Sequence, residues 1–174
     1  DNIYFSGQYF EEDEYPKIST PNAHQTTCNY LDIFLTKFNS NFSKQWCTYY
    51  GGNSTDNCSS LEIDDNNNIY LIGTTNSSNN IATVGSYKDI LPTGNMNGFI
   101  AKFKTDGTRL WGTYYGGENK YSTGDTCESG SVNKTNGDIY LIGNTRQITY
   151  YGTSNSFQPI NKGSDECYLS KFDT

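Results

Sequence analysis

Residues 59–64, SSLEID, set apolar side chains at Leu61 and Ile63 with polar residues between them. A period of two is the mark of a strand with one buried face. An Asp/Asn-rich turn leads into NNNIYLIGTT, so the two pieces are predicted to form a hairpin. Further on, FIAKFKTDGTRLWGTYYGG at 99–117 reads as a second hairpin that turns at Asp106-Gly107. The pattern therefore predicts four strands in one stretch: a at Leu61 and Ile63, b at Ile69 to Ile72, c at Phe99 to Phe103 and d at Leu110 to Tyr115.

The same phrases recur in the same order. NIYFSG at Asn2–Gly7 returns as NIYLIG at Asn68–Gly73 and DIYLIG at Asp138–Gly143. FLTKF at Phe34–Phe38 returns as FIAKF at Phe99–Phe103 and YLSKF at Tyr168–Phe172. WCTYYGG at Trp46–Gly52 returns as WGTYYGG at Trp111–Gly117, 65 positions later. A weaker match aligns Asn22-Ala23-His24-Gln25 with Gly85-Ser86-Tyr87-Lys88 and Asn155-Ser156-Phe157-Gln158. In the third unit the a-to-b turn carries Asn136-Gly137, which suits a tight hairpin because both residues tolerate positive φ. Self-similarity at a fixed period indicates a repeat architecture, and four antiparallel strands per unit is the plan of a β-propeller blade.

These linked phrases, from the Asp-rich turn through NIYLIG, FIAKF and DG to W-x-TYYGG, resemble the SBBP β-propeller repeat family over nearly the whole chain. The resemblance implies blades of a multi-bladed, usually seven-bladed, propeller in secreted or surface proteins of bacteria, exported through a dedicated (type IX) route. Cys58 and Cys127 depart from the small residues usual at the start of strand a. On this reading WxTYYGG is strand d plus the turn into the next blade. Trp46 and Trp111 would pack between blades, and the paired glycines would let the backbone turn back to the centre.

The expected fold class is all-β, a partial propeller of about two and a half blades. Residues 1–52 supply strands b, c and d, residues 53–117 a complete blade, and residues 118–174 strands a, b and c. An open arc leaves sheet edges and two blade faces uncovered. The remaining blades of a longer polypeptide are therefore the first expected partner, with a homo-oligomeric ring as the weaker alternative.

Composition narrows the picture. The 174 residues are 33% apolar, 18% charged and 15% aromatic, rich in Asn, Ser, Thr, Gly and Tyr, which favours short strands and polar turns. Aromatic richness argues against disorder. A net charge of −7 argues against a nucleic-acid binder, and no apolar run approaches the roughly 20 residues of a membrane span. The chain has neither initiator Met nor signal peptide, so upstream sequence is expected to be missing. Five cysteines lean towards an extracellular or cell-surface setting. In a propeller the d-to-a and b-to-c connections share one face. Cys28–Cys58 and Cys127–Cys167 are thus geometrically possible disulfides, provided the Cα atoms come within about 7 Å, with Cys47 the odd thiol.

Candidate chemistry is sparse. His24, the single histidine, aligns with Tyr87 and Phe157, which points to ring packing rather than proton transfer. Lys37, Lys102 and Lys171 match across three units, and Asp56 and Asp125 across two, as structural charges do. Asp56 and Asp125 are expected to accept backbone N–H groups in the d-to-a connection, with calcium ligation as the alternative. EEDEY at Glu11–Tyr15 reads as a solvated run, or as a contact for a cation or a basic partner. The sequons at Asn41, Asn53, Asn57, Asn76 and Asn133 are weak evidence for glycosylation in so Asn-rich a chain.

No catalytic residue, zinc set or cofactor is expected. The reading is a non-catalytic secreted or surface module for binding, adhesion or spacing, with a surface glycan or protein as further partner. The variable connections Gln8–Asn29, Asn76–Asn97 and Arg146–Asp165 are its expected recognition loops. The alternative is a propeller-borne polysaccharide hydrolase or lyase whose catalytic residues lie in other blades.

Overall fold

A computed structural model describes residues 2–10, 16–91, 96–117, 124–146, 152–161 and 165–173. Every regular element among them is a strand. The first sheet contains β1 (Ile3–Phe10), β2 (Leu31–Phe38) and β3 (Lys44–Tyr50), in the order β1-β2-β3. The second contains β4 (Asp56–Ile63), β5 (Ile69–Thr75), β6 (Asn97–Phe103) and β7 (Arg109–Tyr115), in chain order. The third contains β8 (Thr126–Val132), β9 (Ile139–Thr145) and β10 (Glu166–Phe172), ordered β10-β9-β8. All neighbours are antiparallel. The sheets are thus b-c-d, a-b-c-d and a-b-c, as the repeat predicts. No helix among the described residues is long and apolar enough to cross a membrane.

Strand a starts earlier than its alternating pattern suggests, at Asp56, because a bulge between Cys58 and Ser60 interrupts the alternation. A matching bulge lies between Cys127 and Ser129. Such bulges bend and twist the strand locally. The a-to-b turn is closed by a buried carboxylate. Asp64 Oδ1 accepts the N–H groups of Asn66 (3.0 Å) and Asn68 (2.8 Å), and Asn67 adopts a φ of 61°.

Contact between sheets runs through strand a, since β4 touches β1 and β2 on one side and β8 on the other. Alternate residues of the middle sheet feed two cores. Ile69, Leu71, Phe99, Ala101 and Phe103 pack with Ile33, Leu35 and Tyr50 of the first sheet. Tyr70, Ile72, Ile100 and Tyr115 pack with Val132, Ile139, Leu141 and Tyr168 of the third. The two tryptophans sit in these seams. Trp46 donates its indole N–H to Thr105 O in the next sheet (3.1 Å), and Trp111 packs against the second core.

The b-to-c connections are not detached from the sheets. In the first two units they lie along the outer edge of strand d. Thr20 donates its N–H to Cys47 O (2.8 Å) and Gln25 O accepts from Tyr49 (3.0 Å). Likewise, Thr83 donates to Gly112 O (2.8 Å) and Lys88 O accepts from Tyr114 (3.0 Å). An uncovered edge strand presents unpaired backbone groups, and these segments satisfy them. In the third sheet no strand follows β10 among the described residues, and residues 152–160 are exposed.

Candidate functional site

Two features recur at the seams between sheets: a buried polar junction and, beside it, an open cleft. The first junction forms where β3 runs into β4. Asp56, fully buried, accepts the Gly52 N–H (2.9 Å) and the Ser77 hydroxyl (2.8 Å) on Oδ2, and the Thr75 hydroxyl on Oδ1. Burial raises the Asp56 pKa, and those donors oppose the rise. Asp32, also fully buried, accepts from Gln25 Nε2 (2.8 Å) and the Asn29 N–H (3.2 Å) on Oδ2. Its Oδ1 has no hydrogen-bond partner among the described residues. Burial foremost, with the neighbouring Asp56 charge, pushes the Asp32 pKa up to about 6, against the hydrogen bonds from Asn29, Gln25 and the Cys28 thiol. Gly51 is required by close approach. A Cβ there would stand 2.3 Å from Asp32 Oδ1 and 2.7 Å from Asp56 Oδ2.

The second junction is built on equivalent positions with different charges. Asp125, buried, accepts the Gly117 N–H on Oδ2 (2.7 Å). Asn97 replaces Asp32 and Lys88 replaces Gln25. Lys88 Nζ donates to Gly116 O (2.8 Å) and Gly117 O (2.7 Å), and reaches Asn97 Oδ1 (3.4 Å). One seam holds two carboxyl groups and an amide, while the other holds one carboxyl group, an amide and an ammonium. The expected N–H acceptance by Asp56 and Asp125 is therefore present. Gln25, Asp32, Lys88 and Asn97 were missed as members. Their signal was legible as unlike residues at matched positions: 25 with 88 in the weak fourth match, and 32 with 97 two places before FLTKF and FIAKF.

The clefts open where a b-to-c connection meets the next sheet. The first, about 430 Å³, is lined by Thr20, His24, Trp46, Asp106 and Arg109 among others. The second, about 540 Å³, is lined by Asp64, Tyr87, Lys102, Trp111, Asn136 and Phe172 among others. His24 occupies the place of a packing ring. It lies 5.7 Å from Phe103, edge-on, and 6.3 Å from Tyr50, as Tyr87 lies against Phe172 (5.2 Å) and Tyr115 (6.3 Å). The residue is nonetheless exposed at the mouth of the cleft. Partial burial and the Arg109 cation still lower its pKa to about 4. Phe157, the third ring at this position, is fully exposed.

The matched lysines are structural. Each sits opposite a strand b tyrosine: Lys37 with Tyr4, Lys102 with Tyr70, Lys171 with Tyr140. Lys102 Nζ lies 4.8 Å from the Tyr70 ring centroid and 3.7 Å from Asp64, and Lys171 pairs with Asp138 at 2.8 Å. Glu11–Tyr15 lies outside the described residues. Asn41, Asn53, Asn57 and Asn133 are exposed and Asn76 is half-buried.

The expected disulfides are not formed, and all five cysteines are free thiols. Cys127 pairs with Gly143 and Cys167 with Asn144, on opposite sides of β9. Two strand spacings, about 9.5 Å, exceed the reach of a disulfide. Cys28 directs its thiol to Tyr9 O (3.3 Å), whereas Ser6, three residues earlier on β1, donates its hydroxyl to Cys58 Sγ (3.5 Å). Those contacts lie about 10 Å apart along the strand.

This geometry agrees with a family match: residues 45–82 fit the model described as SBBP, beta-propeller repeat. Residues 45–82 are thus similar to an SBBP repeat. The matched span runs from β3 through β4 and β5, so the SBBP repeat is out of phase with the sheets and begins on the last strand of one unit. It contains the first polar junction except Gln25, Asn29 and Asp32. No curated protein matches the sequence.

Proposed function

We propose that the chain is a non-catalytic propeller module of a secreted or cell-surface protein, serving binding, adhesion or spacing. Its partners are further blades of the same polypeptide and a surface glycan or protein. The carrying observation is the pair of clefts that recur in repeat register, each walled by an indole and rimmed by polar side chains: Asp106 and Arg109 in one, Asp64, Lys102 and Asn136 in the other. Aromatic faces with flanking hydrogen-bonding groups suit the alternating apolar and hydroxyl faces of sugars. The side chains best suited to acid–base work are committed to packing or to turns, His24 between Tyr50 and Phe103 and Asp64 in its turn.

Binding of the full-length protein to an array of surface polysaccharides tests the reading. Trp111→Ala should weaken retention at least tenfold while the fold persists. The same protein assayed for polysaccharide hydrolase or lyase activity should be inactive, or should keep its activity when His24 is replaced by Phe and Glu11, Glu12, Asp13 and Glu14 by amides. Collapse of an activity in that variant, with the fold intact, would overturn the non-catalytic assignment.

A further inference from the structure

The two polar junctions share a backbone plan and differ in charge. Around Gly116, Lys88 Nζ lies against two backbone carbonyl oxygens and the Asn97 amide oxygen. Around Gly51, Gln25 stands where Lys88 stands. Its shorter side chain turns to Asp32 Oδ2 and the Gly51 N–H instead. Gln25 thus offers no ammonium to the Gly51 and Gly52 carbonyls, and both residues are buried. Asp32 takes the place of Asn97, so the same spot gains a carboxylate as it loses a cation. Asp32 Oδ1 is buried and accepts no hydrogen bond. It lies within about 5 Å of Asp56 Oδ2, since both oxygens crowd the position of a Cβ on Gly51. Two like charges so close in a buried site cannot both ionise without a countercharge.

We propose that the first junction binds a calcium ion at the place that Lys88 Nζ holds in the second, with Asp32 Oδ1 and the carbonyl oxygens of Gly51 and Gly52 as its protein ligands. The chemistry fits a hard cation that takes oxygen ligands and completes its shell with water. Asp56 is not free to ligate, being filled by Gly52, Thr75 and Ser77 donors, and supplies charge from close by. Gln25, which borders the site, is half-buried between the exposed residues His24 and Thr26. The ion offsets the carboxylates and fixes β3 against β4, as the lysine does between β7 and β8.

The test is thermal unfolding of the chelator-treated protein with calcium chloride added at constant ionic strength. For millimolar affinity, 10 mM calcium should raise the midpoint by about 4 °C. Asp32→Asn should abolish the shift. Gln25→Lys, which installs the cation of the second seam, should abolish it too while raising the calcium-free midpoint, so the test survives if Asp32→Asn fails to fold. Lys88→Gln combined with Asn97→Asp should raise the calcium stoichiometry from one to two by calorimetry. No shift in the parent protein, or a shift that persists in Gln25→Lys, would overturn the proposal.

Discussion

Strands β5 and β9 are nearly the same peptide, IYLIGTT and IYLIGNT, yet they live in different surroundings. In β5 both faces are covered, and only Thr74 is less than fully buried. In β9 every second residue is exposed. Tyr70 and Ile72 are fully buried, while Tyr140 and Ile142 are 40% and 46% exposed. The backbone pairs antiparallel on both sides in each case. What differs is the neighbour: β8 packs on β5, whereas no described strand lies on the outer face of β9. Strand formation and the alternation of faces are thus properties of the segment. Burial of the second face is a property of what stands beside it.

Paired substitutions measure that difference. The largest effect is expected for Ile72→Ala, which opens a cavity in the core between the second and third sheets and should cost about 2–5 kcal/mol by urea denaturation. Measured on these 174 residues by themselves, Ile142→Ala should cost about 0.5 kcal/mol or less, and a further blade seated on the outer face of β9 would raise that cost towards the Ile72 value. Equal losses would mean that the outer face of β9 is covered in the protein. Next, Tyr70→Phe removes a hydroxyl that donates to Asp64 Oδ2 (3.0 Å) and should cost about 1–3 kcal/mol, against a near-neutral Tyr140→Phe.

The single residue that separates the two strands falls on the same boundary. Thr74 Oγ1 donates to Cys127 O (3.3 Å) and accepts from the Cys127 N–H (3.0 Å), tying β5 to the third sheet. Asn144 is exposed and meets Glu128 (3.4 Å) within its own sheet. Thr74→Asn should therefore cost about 1 kcal/mol, and Asn144→Thr close to nothing, by the same denaturation assay.

The smallest effect sharpens the comparison of the junctions through pH, measured with chelator present. His24 has its folded pKa lowered to about 4, so the unfolded chain binds the extra proton between about 4 and 6.5. Its contribution rises with pH across that window and is lost as pH falls through it. Asp32 has its folded pKa raised to about 6, so the folded chain binds the extra proton between about 4 and 6, and stability falls as pH rises. The two slopes oppose each other in the parent protein. Asp56, whose folded pKa is also raised, adds to the falling slope, so His24→Phe should make the net slope more negative and Asp32→Asn less negative in midpoint-against-pH curves from about pH 4 to 7.

Much of the site escaped the sequence because its members are far apart in the chain and unlike across the repeat. Asp56 and Asp125 are visible as matched charges, but their partners arrive from b-to-c connections whose course depends on strand d. Residues 16–30 and 76–91 settle along β3 and β7 because those edges carry unpaired N–H and C=O groups, and that places Gln25 and Lys88 in their junctions. Residues 152–160, with no such edge beside them, remain exposed. The cysteine pairings failed for a related reason. Their connections do share one end of the sheets, but an intervening strand or a displacement along β1 separates the thiols.

The sequence by itself determined the strands, their hairpin order and the repeat, because period-two alternation and turn residues act within a few neighbours along the chain. Tertiary structure alone decided which faces are buried, where the long connections lie, and that Asp32 and Asp56 share one buried junction. Those depend on groups 24 or more residues apart meeting where water is excluded, and no local pattern encodes the meeting.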